Sequence, residues 1–245
     1  MNAAVAHPVQ LAHFGNDVVD LEDVQESLSS ERALARLFTR NERSSLPPGG
    51  PQRLLQLACL WAAKEAAYKA VKRQRPEIDF DWQAFEAASD LGCVVYSGAS
   101  ASAENRPGLR LPLRIWLNTD RGFAHALCCG PEVGRSYVWL AQSGRQTPRE
   151  ESAAVRRALH RGLRGLCGPG GEFAALAGAE LIGGSDTPPE MQSATTQTRV
   201  PVSFSHDGRF VAAALPVPAS VAEHGEQDDR PLWGGRAMDV VELVL

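Results

Sequence analysis

The chain has 245 residues, 44% of them hydrophobic, which is enough to bury a sizeable core as one large domain or two small ones. Its formal net charge of −4 argues against a general nucleic-acid coat. The five cysteines are odd in number and show no CxxC spacing, which argues against a disulfide framework or a zinc knuckle and favours a reducing compartment. The sequence shows no secretory signal and no apolar run near the roughly 20 residues that span a bilayer, so we expect a cytoplasmic protein without a membrane segment.

The predicted elements mix helices and strands without strict alternation. The longest predicted helix covers 53–74, because Leu54, Leu57, Ala58 and Trp61 recur at i, i+3, i+4 and i+7. In chain order we predict a strand at 17–21, helices at 30–43 and 53–74, strands at 114–117, 123–128 and 136–141, a helix at 149–166, and strands at 200–204 and 210–215. The segment 183–199 lacks periodic apolar residues and is predicted to be a loop. This mixture predicts an α+β fold.

One internal similarity predicts how the chain is organised. When 114–127 is placed over 201–214 without a gap, Asp120 meets Asp207 and Phe123 meets Phe210, and both copies read strand, polar turn, strand. Two unrelated hairpins would explain so few identities equally simply. A duplication predicts two similar halves packed as a pseudo-dimer, with 1–130 as the first half and 131–245 as the second.

The nonapeptide WAAKEAAYK at 61–69 is the first candidate for chemistry. On a helix, Glu65 lies one turn after Trp61 and one turn before Lys69, so a carboxylate and an ammonium share a face with an aromatic ring. A phosphate-transfer site needs a carboxylate to hold Mg²⁺ and a cation to neutralise phosphate oxygens. An ordinary helix-stabilising i,i+4 pair explains the spacing as well.

Three other positions carry suitable polar groups. Asp17 begins a β-branched run directly after Gly-Asn, where a carboxylate would be held rigidly as a metal ligand, although turn and capping aspartates are common. Glu42 follows an amphipathic helical turn and could cap, pair with an arginine or join the site. His206 and Arg209 lie in a polar turn between two strands, where they could contact phosphate or have no role.

The order of these motifs resembles that of the 4′-phosphopantetheinyl transferase superfamily. The matching stretches are GND at 15–17, FTRNE at 38–42, WAAKE followed by Lys69 at 61–69, and SFSHD at 203–207. The spacing after Asp17 is more similar to the short holo-acyl-carrier-protein synthases than to the longer two-lobed class. The resemblance therefore implies two fused synthase-like units, with carboxylates in the first half and the histidine in the second.

The resemblance also implies the reaction and its residues. The phosphopantetheine arm of coenzyme A would pass to a serine of an apo acyl or peptidyl carrier protein, releasing 3′,5′-ADP. The implied roles are metal binding by Asp17 and Glu65 with help from Glu42, catalysis by Glu65, Lys69 and His206, and coenzyme A binding by Lys64, Lys69, His206 and Arg209. The serine proton would go to Glu65 or to a metal-polarised water, and the residues do not choose between them.

Other interpretations remain open at this point. The chain could be a non-catalytic module that binds coenzyme A or a carrier protein, or an unrelated Mg²⁺-dependent phosphohydrolase. Carrier proteins are generally acidic, so the arginines of the 30–43 helix could dock one, while a solvated helix face explains them as well. A fused pseudo-dimer could be complete as a monomer. The sequence does not choose among fatty-acid, polyketide and peptide synthase carriers.

Overall fold

The computed structural model describes ten segments of the chain: 13–28, 30–98, 109–120, 122–144, 147–166, 176, 178–183, 187–193, 199–218 and 239–244. They form a mixture of helices and strands, which confirms the predicted α+β class. None of the described helices is long and apolar enough to cross a membrane.

The first half is built on a five-stranded antiparallel sheet. Its strands are β1 (Phe14–Asp20), β2 (Phe85–Ala87), β3 (Cys93–Gly98), β4 (Leu109–Asp120) and β5 (Phe123–Cys129), in the order β1-β5-β4-β3-β2. A 3₁₀ helix, Trp82–Ala84, precedes β2. The prediction found β5 and the end of β4 but missed β2 and β3.

The long helix α4 (Gly50–Gln74) packs across β1 and β5 and confirms the helix predicted at 53–74. Pro51 lies in its first turn, where a missing N–H costs nothing. Its buried face is rich in alanine: Ala58, Ala62, Ala63, Ala66, Ala67 and Ala70. These small side chains let the helix lie close to the sheet.

Three short helices precede α4: α1 (Leu21–Ser27), α2 (Glu31–Leu37) and α3 (Arg40–Ser44). The single helix predicted at 30–43 is therefore wrong, because it is divided at Phe38 and Thr39. The Thr39 hydroxyl accepts a hydrogen bond from the Glu42 amide, and the Glu42 carboxylate accepts one from the Thr39 amide. This capping box starts a new helix where the helical pattern alone predicted continuity.

The second half contains a four-stranded sheet of β6 (Val133–Gln142), β10 (Ser203–Asp207), β11 (Phe210–Pro218) and β12 (Asp239–Val244), in the order β10-β11-β6-β12. The strand β12 pairs parallel with β6. The strand β11 pairs antiparallel with both β6 and β10. Helix α5 (Pro148–Leu166) packs on β11 and β6 and confirms the predicted helix at 149–166.

A three-stranded sheet of β7 (Glu180–Ile182), β8 (Glu190–Gln192) and β9 (Arg199–Pro201) lies between α5 and β10 in sequence. The prediction of a loop over 183–199 is wrong at β8, whose Met191 is buried in the core of the second half. A strand of three residues is too short to show a periodicity. Residues 184–186 and 194–198 of that predicted loop lie outside the described residues.

The two sets of strands follow the same path. In each, a first strand leads to a helix and then to a hairpin whose second strand pairs antiparallel with the first strand. The two hairpins are closed by corresponding pairs, Asp120 opposite Phe123 and Asp207 opposite Phe210. The turn at 130–132 links β5 to β6, next to the boundary that the sequence predicted.

A separate hydrophobic core joins the halves. Phe14, Val18 and Leu127 from the first sheet pack with Leu140 and Phe210 from the second, all of them buried. The strand β1 therefore lies between its own sheet and the hairpin of β10 and β11.

Candidate functional site

Gly15 sets the distance between β1 and α4. A Cβ built on this glycine would overlap the carbonyl oxygen of Ala66 and would lie 2.7 Å from the amide nitrogen of Ala70 and 3.0 Å from Cβ of Lys69. Only a residue without a side chain allows the strand to lie this close to the helix. Gly15 therefore places the next carboxylate on the strand, Asp17, beside Lys69.

Asp17 is the centre of a three-element contact. Its Oδ1 accepts hydrogen bonds from Lys69 Nζ and from the Ser205 hydroxyl, both at 2.7 Å. Lys69 Nζ also donates to the carbonyl oxygens of Asn16 at 3.2 Å and Phe204 at 3.5 Å. The side chain of Asp17 is 5% exposed and that of Lys69 is 31% exposed, so the lysine faces the solvent side of this cluster.

Glu65 lies close enough to this cluster to interact electrostatically with it. Its Oε1 accepts a hydrogen bond of 2.8 Å from the indole N–H of Trp61. Burial and the negative charges of Asp17 and Asp207 raise the pKa of Glu65 to about 7, although Lys69 and Trp61 act in the opposite direction. The carboxyl of Glu65 therefore exchanges its proton near neutral pH.

Asp207 is a further acidic group at this junction. Burial raises the pKa of Asp207 to about 6, and the neighbouring carboxylates of Asp23, Asp17 and Asp20 contribute in the same direction. Lys69 pairs with Asp17 and Arg209 pairs with Asp20, whereas the pKa values of Glu65 and Asp207 remain raised. A bound cation would lower the energy of the ionised carboxylates.

The carboxylates of Asp17 and Glu65 are the candidate ligands for a divalent cation at this site. No group of three or more histidine, cysteine, aspartate or glutamate side chains with the arrangement of a metal site occurs among the described residues. Magnesium is commonly held by one or two carboxylates together with water and substrate phosphates. Asp17 and Glu65 supply two carboxylates, and the negative charge of Asp17 contributes to the raised pKa of Glu65, so the pair fits that requirement by charge.

The strand β10 contacts β1 through side chains at alternate positions. Three β1 backbone amides donate to them: Asn16 to Ser203 Oγ at 2.8 Å, Val18 to Ser205 Oγ at 3.0 Å, and Asp20 to Asp207 Oδ2 at 2.7 Å. The edge of β1 that does not pair with β5 is thus satisfied by side chains of the second half. We call these three side chains the β10 acceptors.

His206 alternates with the β10 acceptors and contacts helix α5. Its Nδ1 lies 3.0 Å from Oε2 of Glu151, and its side chain is 45% exposed. The structure therefore does not bring His206 into hydrogen-bonding contact with Asp17 or Glu65. The ring is open to solvent on the second half.

Arg209 is held across the boundary between the halves. Its Nε and Nη2 donate to the two carboxylate oxygens of Asp20 at 2.8 and 2.7 Å, and its Nη1 lies 2.7 Å from Glu22. Burial raises the pKa of Asp20, but the hydrogen bonds from Arg209 and from backbone amides outweigh it and lower that pKa. Gly208, at φ +52°, packs against Asp20, where an added Cβ would lie 2.5 Å from Oδ2.

Glu42 and Lys64 form a fully buried ion pair. Lys64 Nζ lies 2.6 Å from Glu42 Oε2, with side-chain exposures of 0% and 1%. The other oxygen of Glu42 accepts a hydrogen bond of 2.9 Å from the Ala87 amide, and Lys64 lies over the ring of Phe38. Burial lowers the pKa of Lys64, while Glu42 opposes that shift. Both groups are thus engaged in holding α3 against α4 and β2.

Sequence reasoning missed Ser205, Asp207 and Asp20 as members of this region. The two-residue spacing of Ser203, Ser205 and Asp207 is a signal that could have found the β10 acceptors, since such residues share one face of a strand. The sequence did not predict that this face of β10 would accept hydrogen bonds from the backbone amides of β1.

Comparison with known proteins gives one family and several solved structures. Residues 13–127 match the family described as the 4′-phosphopantetheinyl transferase superfamily. Comparison with curated proteins gives no match. The ACPS-CoA complex of Chronobacterium ammoniagenes is 21% identical and covers 47% of this chain and 93% of its own, with a TM-score of 0.34. An apo-ACPS structure from the same genus is 21% identical and covers 47% and 92%, with a TM-score of 0.33. The matched segment, slightly less than half of the chain, contains the motifs from Gly15 to Lys69 and is similar to the 4′-phosphopantetheinyl transferase superfamily.

Proposed function

We propose that the chain transfers the 4′-phosphopantetheine arm of coenzyme A to a serine of an apo acyl or peptidyl carrier protein. The observation that carries this proposal is the contact of Asp17 with Lys69 and Ser205, which joins β1, α4 and β10 beside Glu65. A partly exposed ammonium next to two interacting carboxylates suits a pyrophosphate substrate. Similarity of the matched segment to the superfamily supports the same reaction class.

In the proposed reaction the serine oxygen forms a bond to the phosphorus next to pantetheine, and the bond from that phosphorus to the bridging oxygen breaks. The bridging oxygen leaves with 3′,5′-ADP. Asp17 and Glu65 would hold Mg²⁺, which supplies positive charge to the pyrophosphate. The Glu65 carboxylate accepts the serine proton in this proposal.

Lys69 neutralises phosphate charge in this proposal, because its ammonium is 31% exposed at the edge of the cluster. His206 contacts the nucleotide or a phosphate from the second half, since its ring is open to solvent. These two side chains contact the substrate from opposite halves of the chain in this proposal.

Three residues that the resemblance implied receive structural roles instead. Glu42 and Lys64 are engaged with each other in the interior, so we assign them to the support of α3 rather than to metal or phosphate. Arg209 is held by Asp20 and Glu22, so we assign it to the joint between the halves.

The halves themselves are part of the proposal. Their common path of strand, helix and hairpin supports a duplication with 1–130 and 131–245 as its units. A site with walls from both units would be complete in one copy of the chain. We propose a monomer on this basis.

An acidic carrier would dock on the arginines ahead of α4. Arg32, Arg36 and Arg40 are exposed on α2 and α3. A cytoplasmic location belongs to the same proposal, and it is supported by the free thiols of four described cysteines, Cys59, Cys93, Cys128 and Cys129.

The test is incubation of the chain with coenzyme A, Mg²⁺ and a panel of fatty-acid, polyketide and peptide apo carriers, followed by mass spectrometry of each carrier. We expect one or more carriers to gain the mass of phosphopantetheine. Carrier binding without mass gain would indicate a non-catalytic module, and release of 3′,5′-ADP without a carrier would indicate a phosphohydrolase. Either result would refute the proposal.

The site assignment has its own control. We expect Asp17→Ala and Glu65→Ala to lose transfer activity, while Asp79→Asn, which changes an exposed carboxylate outside the site, keeps it. Full activity of either alanine variant would refute the assignment.

A further inference from the structure

The Ser205 hydroxyl connects the second half directly to the carboxylate at the centre of the site. Its oxygen accepts the Val18 amide at 3.0 Å and donates to Asp17 Oδ1 at 2.7 Å. Ser205 is 3% exposed. A hydroxyl has one proton, and because the Val18 amide occupies an oxygen lone pair, that proton is directed to Asp17.

The neighbouring serine provides a comparison within the same strand. Ser203 also accepts a β1 amide, from Asn16 at 2.8 Å, and is 4% exposed. Among the described residues, its hydroxyl makes no contact with Asp17. The two serines therefore make the same kind of inter-half hydrogen bond, and only Ser205 adds a bond to the carboxylate.

The two hydrogen-bond donors to Asp17 fix the orientation of its carboxylate. Lys69 and Ser205 both donate to Oδ1, and no described residue donates to Oδ2. We propose that Ser205 is a positioning residue, which acts through Asp17 by holding Oδ1 so that Oδ2 is presented to the cation. This inference rests on the proposed function, because it takes Asp17 as a metal ligand.

Removal of the hydroxyl would leave Lys69 as the one donor to the Asp17 carboxylate among the described residues. The ammonium is on a flexible side chain and does not fix the plane of the carboxylate as a buried hydroxyl on a strand does. Hydrogen-bond partners that orient a metal ligand typically contribute a factor of roughly 10 to 100 in metal affinity.

The experiment measures Mn²⁺ binding to the full chain without coenzyme A or carrier, by the electron paramagnetic resonance signal of free Mn²⁺. We expect Ser205→Ala to raise the Mn²⁺ dissociation constant roughly tenfold or more. The matched variant Ser203→Ala loses an equivalent inter-half hydrogen bond and is expected to keep the wild-type value. Ser205→Thr retains a hydroxyl and is expected to bind Mn²⁺ within about threefold of wild type.

Equal affinity of Ser205→Ala and wild type would overturn the inference and leave the proposed function intact. Equal weakening in Ser203→Ala and Ser205→Ala would also overturn it, because the loss would then come from the inter-half contact in general. Failure of the wild-type chain itself to bind Mn²⁺ would refute the metal assignment in the proposed function.

Discussion

Replacement of Gly15 by alanine tests whether the close approach of β1 to α4 builds the site. The added Cβ would lie 2.7 Å from the Ala70 nitrogen, whereas ordinary contacts of a Cβ begin at 3.4 Å, so strand and helix must separate by about 0.7 Å. They must separate further to clear the Ala66 carbonyl. Overpacking of this kind costs roughly 1–3 kcal/mol, and we expect the upper end because backbone atoms on both sides cannot rotate away.

Urea denaturation measures this cost. With a slope of roughly 3 kcal/mol per molar urea, a loss of 3 kcal/mol lowers the midpoint by about 1 M. Transfer activity should fall as well, since the shift moves Asp17 away from Lys69. The matched variant is Gly92→Ala, where the nearest atom to the new Cβ is 3.6 Å away and the residue is exposed. Equal urea midpoints for the two variants would refute the reasoning.

Three further predictions concern buried charges. Because the folded chain raises the pKa of Glu65 to about 7, it binds that proton more tightly than the unfolded chain, so the unfolding free energy of metal-free protein should fall by up to roughly 3 kcal/mol between pH 4.5 and 7. Glu65→Gln should reduce this slope in urea titrations and leave the smaller slope due to Asp207, whose pKa is raised to about 6; an unchanged slope would contradict the assignment. Lys64→Met leaves Glu42 buried without its cation and should cost about 3–5 kcal/mol by the same measurement; a change under 1 kcal/mol would contradict the buried pair. Arg209→Met should lower the urea midpoint at pH 7, because it leaves the buried Asp20 carboxylate without its cation. Since Arg209 holds the pKa of Asp20 below its usual 3.8, this difference should shrink as the pH falls below 4, and a constant difference would contradict the reasoning.

The sequence predicted the elements whose signal is local. Helix α4 has an apolar pattern over many turns, and the motif residues Asp17, Glu65 and Lys69 lie on elements that were predicted with the correct type. The contact between Asp17 and Lys69 depends on the close packing of β1 on α4. Gly15 of the GND stretch allows this packing because it has no side chain.

What the sequence did not predict depends on partners distant in the chain. Glu42 was a candidate metal ligand because it belongs to the matching stretch at 38–42, yet the fold gives its carboxylate Lys64, the Thr39 amide and the Ala87 amide as partners. Arg209 was a candidate for phosphate because it lies in a polar turn, yet Asp20 is held opposite it by β1. Lys64 lies 22 residues from Glu42 and Asp20 lies 189 residues from Arg209, so local patterns could not identify these partners.

The contacts between the halves limit how a substrate could reach the site. If the halves separated, the β1 amides would lose their hydrogen bonds to the β10 acceptors, at a cost of roughly 1–3 kcal/mol for each buried donor left unsatisfied. The hydrophobic core around Phe14 and Phe210 would also become exposed to solvent. Asp17 is 5% exposed, whereas Lys69 is 31% and His206 45% exposed. Under the proposed function, the pyrophosphate would therefore approach from the side of Lys69, with the halves closed. The second half then has two roles: His206 contacts the substrate, and Ser205 fixes the orientation of the Asp17 carboxylate.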